Sequence, residues 1–246
     1  MQQNNRYVWA AAVVGIALIA GLGILGWFIN SNRTMNAITV TGSTKMHVTS
    51  DLAKWNANFT LRAGLDNLKQ TLEKASANSE KIKQFIVARG IDAAAITLLP
   101  IQNDPIYYYG DKGYGGTQEL IGYNVRQEVR VESFEISKVE DLATNAKNLV
   151  DQGIVPEYQR TEYYYTKISE LRPKLFADAT KDAQTKAQAI ADGTGVRVGA
   201  LRTAKTGVIQ LLAPNSLDIA DYGAYDLSTK EKEVSATVSV SFELLP

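Results

Sequence analysis

Residues Tyr7–Ile29 read YVWAAAVVGIALIAGLGILGWFI, 23 positions without a charge. As an α-helix at about 1.5 Å per residue this run is roughly 35 Å long, enough for a hydrocarbon core of roughly 30 Å. No other stretch constrains the chain as much, because a segment that crosses a bilayer decides where everything attached to it resides. A secretory signal has a shorter apolar region and ends at small residues. This run instead leaves through Gly26-Trp27-Phe28-Ile29-Asn30. Trp9 and Trp27, near its two ends, suit the aromatic belt of a membrane interface. The expectation is a retained transmembrane anchor at 7–29, with residues 1–6 cytoplasmic, 30–37 a linker and 38–246 an extracytoplasmic domain. The flanking charges are nearly balanced, with Arg6 before the run and Arg33 and Lys45 after it, so this orientation follows the habit of short N-terminal tails to stay inside.

Two patterns inside the run need weighing. Gly21, Gly23 and Gly26 match the G-x-G-x-x-G spacing of dinucleotide sites, but that motif works only between a strand and a helix opening, so it is set aside here. Small residues four apart, Ala11 with Gly15 and Ala17 with Gly21, would let another membrane helix approach closely.

Composition removes more functions than any motif adds. The chain has 26 Lys and Arg against 26 Asp and Glu, with no basic run, so nucleic acid is not an expected partner. With no cysteine and a single histidine, His47, it has no thiolate chemistry and no site built from several imidazoles. A hydrolase using two carboxylates gains no specific support, because a chain with this many acids always offers a pair. The expectation is a protein that is not an enzyme, with no catalytic residue, cofactor or metal.

Periodicity after the linker gives an α+β fold, with helices packed on antiparallel or mixed sheet in two parts. Strands are expected at Ile38–Val48, Trp55–Ala63, Ile96–Ile101, Ile121–Val131 and Tyr158–Tyr165. One or two more fall within Val196–Leu212, and a last, strictly alternating one spans Val234–Leu244. His47 points away from its neighbours Met46 and Val48. Helices are expected over Leu65–Arg89, from a capping box at Ser137–Glu140 to Gly153, and from Ser169 to about Asp192. The inner stripe of the last is Phe176, Ala179, Ala183, Ala187 and Ile190. Two stretches read as long loops, Asn103–Gly116 and Ala213–Lys230. They carry Tyr107, Tyr108, Tyr109 and Tyr114, and Tyr222 and Tyr225. Tyrosine offers contact area at low entropic cost, so these six are the candidate interface or ligand contacts, with Asp104, Asp111, Asp218 and Asp221 nearby.

The series of motifs resembles the SIMPL domain family, which includes periplasmic immunogenic proteins of Gram-negative bacteria. It comprises Ile38-Thr-Val40-Thr-Gly42, Ile121-Gly-Tyr123-Asn-Val125, Val131 to Gly153, Leu171-Arg-Pro-Lys-Leu175 to Ala179, Asp182-Ala183, Lys186-Ala187, Gly193-x-Gly195 and Val198-Gly199. The resemblance implies an extracytoplasmic α/β protein able to form ring- or barrel-like homo-oligomers, with loosely attached envelope-stress roles and no catalytic residues to carry over. This chain departs from relatives with cleavable signals by its expected anchor. The leading expectation is a scaffolding homo-oligomer tethered to the bacterial inner membrane through residues 7–29, its domain in the periplasm and its partner a second copy of itself. The alternative is a module that binds envelope glycan, another polar ligand or a protein through the tyrosine-rich loops.

Overall fold

A computed structural model describes residues 15, 17, 19–24, 37–109, 118–216 and 223–246. The element order is β1 (Ala37–Thr49), β2 (Leu52–Ala63), α1 (Leu68–Val87), β3 (Ile96–Leu98), β4 (Gln102–Tyr109), β5 (Gln118–Ser133), α2 (Ile136–Asn145), β6 (Pro156–Tyr164), α3 (Ile168–Thr194), β7 (Arg197–Leu212) and β8 (Glu231–Leu245). A 3-10 turn, Ala146–Gln152, extends α2. The expected α+β class holds. The chain divides into two compact units, one made of residues 1–44, 176–207 and 237–246, the other of 45–175 and 208–236.

The larger unit is built on a five-stranded antiparallel sheet. β2 lies between β5 and β6, and β3 and β4 both pair with the other side of β5. Alternation along β2 sends Ala53, Trp55, Ala57 and Phe59 to one face, where Val129 and Val131 of β5 join them. Ile82 and Ile86 of α1, Val139 and Leu142 of α2, and Leu149 of the 3-10 turn close over that face. Each of these fully buried aliphatic side chains contributes roughly 1.5–3 kcal/mol. Trp55 is fully buried, and its indole N–H donates to Gln159 Oε1 at 3.3 Å. A polar pin crosses the same layer. Ser79 Oγ donates to Gln127 Oε1 at 2.9 Å, while Gln127 Nε2 donates to the Leu99 carbonyl at 2.5 Å.

The smaller unit packs the later part of α3 on segments of β1, β7 and β8. Ala179, Ala183, Ala187 and Ala191 are all fully buried, and the first three pack with Val40, Val238, Val240 and Phe242. Four-residue spacing of alanine leaves a helix face with almost no relief, so backbone meets backbone. A Cβ at Gly42 would stand 1.9 Å from the Ala179 carbonyl oxygen. In the three-stranded sheet to which these segments belong, β8 is central, between β1 and β7. In the larger unit Lys45 lies beside Glu233 and Thr49 beside Glu231, so β1 and β8 run antiparallel.

Several expectations need correction. The stretch expected as a loop from Asn103 is strand through Tyr109, since β4 pairs with β5 from Gln102 to Tyr109 and accepts Pro105 at the sheet margin. Helix α1 starts at Leu68 rather than Leu65, because the Asn67 side chain turns back to accept the Gly64 N–H at 2.8 Å. Ser137–Glu140 is not a capping box. α2 already begins at Ile136, Ser133 Oγ accepts the Glu135 N–H, and Glu140 faces Tyr163 and Lys230. Likewise Ser169 lies inside α3, and Ile190 is 51 % exposed while Ala191 takes the inward position. Gly90, Gly153 and Gly195 do end their helical segments, each with a φ between +74° and +77°.

Of the expected anchor, Gly15, Ala17 and residues 19–24 are helical. A side chain at Gly15 or Gly21 would meet nothing within 4 Å among the described residues. Among the described residues no helix is long and apolar enough to cross a membrane. Trp9, Trp27 and the rest of the Tyr7–Ile29 reading lie outside them.

Candidate functional site

A strand at a sheet edge exposes a row of backbone donors and acceptors, and proteins normally blunt it. β1 is blunted by α3: the Ser43 N–H donates to Asp182 Oδ2 at 2.8 Å, and Lys186 Nζ donates to the Thr41 carbonyl at 3.2 Å. Lys186 also pairs with Asp182 Oδ2 at 2.6 Å, and that contact first and then the Ser43 amide hold the Asp182 carboxyl below its ordinary pKa. β4 carries Pro105 and a register shift between Ile106 and Tyr107. β7 is different. Residues 200–208 are exposed on both faces of the strand, including Leu201 at 55 % and Val208 at 42 %. Among the described residues that segment has no proline and no covering helix. Its charges are Arg202, which bonds Glu243 of β8, and Lys205. Farther along, the edge is closed: the Leu211 N–H donates to the Ala224 carbonyl and the Asp226 N–H to the Leu211 carbonyl, both at 2.8 Å.

The candidate tyrosines separate. Tyr107, Tyr108 and Tyr109 are exposed on β4, at one margin of the five-stranded sheet. Tyr225 is exposed in the segment that bridges to Leu211 and, through the Leu227 carbonyl, accepts the Tyr163 N–H beyond the opposite margin. Sheet order β4, β5, β2, β6 therefore stands between them. Tyr114 and Tyr222 lie outside the described residues, as do Asp111, Asp218 and Asp221. Asp104 pairs with Arg126 at 3.5 Å. His47 is exposed on β1, and among the described residues no group of acids and histidine is arranged to hold a metal.

Sequence reasoning missed the outer face of the five-stranded sheet. Residues that alternate with the core of β2, β5 and β6 come together there: Lys54 opposite Glu132 and Glu162, and Asn56 opposite Arg130 and Arg160. They line a trough of about 440 Å³ with Glu128 and Tyr158. Lys54 pairs with Glu132 at 2.9 Å, Arg130 Nε with Glu128 at 2.6 Å, and Arg160 Nε with Glu162 at 3.2 Å. Beside it, Tyr164 donates to Glu162 at 2.8 Å beneath the Lys54 ammonium. Burial, and then that glutamate, push the Tyr164 hydroxyl up to about 12. The signal was present as Arg126, Glu128 and Arg130 on the polar face of one strand, but their neighbours on β2 and β6 are set only by strand pairing.

A second polar centre is structural. Lys232 is fully buried, and its ammonium donates to the carbonyls of Asp226 and Thr229 at 2.5 and 2.6 Å. Burial lowers its pKa, partly offset by Asp226. Burial raises the Asp226 carboxyl, but the Ser228 N–H, Ser228 Oγ and Thr229 Oγ outweigh it and bring the net shift down.

The folded segments answer to one family description. The family model "SIMPL: Protein of unknown function (DUF541)" matches residues 38–242, from β1 into β8. No curated protein matches the chain. The chain belongs to the SIMPL family.

Proposed function

We propose that the chain is a non-catalytic assembly protein, tethered to the bacterial inner membrane through Tyr7–Ile29, with its domain in the periplasm and a second copy of itself as partner. The observation that carries this reading is β7. A strand exposed on both faces over residues 200–208, at a sheet edge, offers backbone pairing to another copy of the chain. Repetition of one head-to-tail contact closes into a ring or barrel when the rotation allows it. Each protomer then adds an anchor, and the anchors act together through effective concentration. Loss of such an assembly is expected to tell under envelope stress.

The glycan-binding alternative built on both tyrosine loops has less support, because Tyr107–Tyr109 and Tyr225 stand at opposite margins of the sheet. Native mass of detergent-extracted full-length chain tests self-assembly. Leu201→Glu with Val208→Glu alters only exposed positions, so it is expected to lower the mass while keeping the circular dichroism spectrum. A strict monomer of the unaltered protein at micromolar concentration refutes the proposal. Retention of the protein in membranes after alkaline extraction tests the tether, and release into the soluble fraction refutes it.

A further inference from the structure

The trough on the outer face of the five-stranded sheet is a built surface with no role in the assembly just described. It lies wholly within the larger unit and is formed by β2, β5 and β6. We propose that this trough binds a neutral saccharide. Its volume of about 440 Å³ falls within the roughly 300–1,000 Å³ of small-molecule sites.

Charge decides the class of ligand. Lys54, Arg130 and Arg160 face Glu128, Glu132 and Glu162, three cations against three anions, each cation already in a pair at 2.6–3.2 Å. Every cation here faces a carboxylate, so a free anion held by the open donors also stands beside a carboxylate of its own sign, and a free cation beside a cation, unless one of these pairs breaks. A neutral polyol breaks none, because each hydroxyl both donates and accepts.

Unused hydrogen-bonding capacity decides the rest. Arg130 and Arg160 engage their glutamates through Nε, so among the described residues the η nitrogens of both remain available. Asn56 sits between them in the register, and its amide has no partner among the described residues. Acceptor sites remain on the carboxylates of Glu128 and Glu132, each of which takes one cation. Donors and acceptors therefore alternate across three strands spaced about 4.8 Å apart, matching a ring whose hydroxyls point several ways. Tyr158, 54 % exposed at the end of this row, supplies the flat apolar surface that the C–H face of a pyranose requires.

The test uses full-length protein in a detergent without a sugar headgroup, titrated with chitotriose, maltotriose and laminaritriose by calorimetry and saturation-transfer NMR. At least one is expected to bind with a dissociation constant at or below about 1 mM. Asn56→Ala and Tyr158→Ala should each weaken it about tenfold or more, a loss of about 1.4 kcal/mol. Asn56→Asp keeps the side-chain shape but removes the amide donor, and should weaken it too. Raising salt should change the affinity less than about twofold, since no net charge is involved. Both altered positions, half-buried Asn56 and exposed Tyr158, lie outside the buried core, so unchanged circular dichroism and native mass will separate lost binding from lost fold or lost assembly. Three results would overturn the proposal: no binding by any of the three sugars, affinity unchanged in all three variants, or salt-sensitive preference for dextran sulfate.

Discussion

Gly42→Ala adds a single methyl group, yet the structure predicts a large loss. The new Cβ would lie 1.9 Å from the Ala179 carbonyl oxygen, 2.6 Å from the Ala183 nitrogen and 2.8 Å from the Ala183 Cβ. All three atoms belong to helix backbone or to a Cβ, so no rotamer can move aside. Strand and helix must separate, and the two bonds that bridge them, Ser43 N–H to Asp182 and Lys186 to the Thr41 carbonyl, stretch with them. Overpacking costs about 1–3 kcal/mol and each weakened bond about 0.5–1.5 kcal/mol, which together give about 2–6 kcal/mol. For a chain of this size that corresponds to a Tm lowered by between about 4 and 24 °C. Gly193→Ala is the matched control: it lies in α3, a Cβ there meets nothing within 4 Å, and alanine is favoured over glycine in a helix by up to about 1 kcal/mol. Differential scanning calorimetry of both variants measures the contrast. A Gly42→Ala shift below about 2 °C would refute the claim that β1 and α3 meet backbone to backbone.

Other sites give independent checks. Lys232→Met removes the donor shared by the Asp226 and Thr229 carbonyls and should cost about 1–3 kcal/mol in urea unfolding. Because the folded pKa of Lys232 lies below the ordinary 10.5, its burial penalty is lifted as pH rises from the folded value toward 10.5, so the unaltered protein should gain on the Met variant over that window. Asp226 behaves oppositely: its contribution is complete above the ordinary 3.8 and is lost as pH falls through its lower folded value, so the gap to Asp226→Asn should narrow in acid. Gln127→Ala leaves the Leu99 carbonyl without its side-chain donor and should destabilise by about 1–3 kcal/mol, measured by thermal unfolding. Ultraviolet titration should find a tyrosine ionising at about 12, absent in Tyr164→Phe and moved down in Glu162→Gln.

What could be read in advance followed from period. Trp55, Ala57 and Phe59 alternate, and Val234 to Phe242 alternate more cleanly still, so both strands and their buried faces were legible. The alanine stripe of α3 was legible as a close-packing face, though Gly42 as its counterpart was not, because that pairing joins residues more than a hundred positions apart. β4 was misread because Pro105 and the glycines after it resemble a loop. Its partner β5 supplies the ladder, and no local pattern contains that information. The candidate site suffered most. Six tyrosines in two loops were the candidate contacts, and strand order places Tyr107–Tyr109 and Tyr225 at opposite margins of the sheet. The trough went unseen because its side chains lie on three strands, each unremarkable alone.

The division of the chain into units has a consequence for how it is made. Residues 1–44 start the smaller unit, but its core also needs Ala179–Ala187 of α3 and Val238–Phe242 of β8. During synthesis, every residue of the larger unit leaves the ribosome before Val238 does. The larger unit can therefore mature first, while β1 waits for its sheet neighbour until the final strand arrives. No continuous fragment carries either unit alone, so a cut at any one peptide bond divides a unit rather than releasing one.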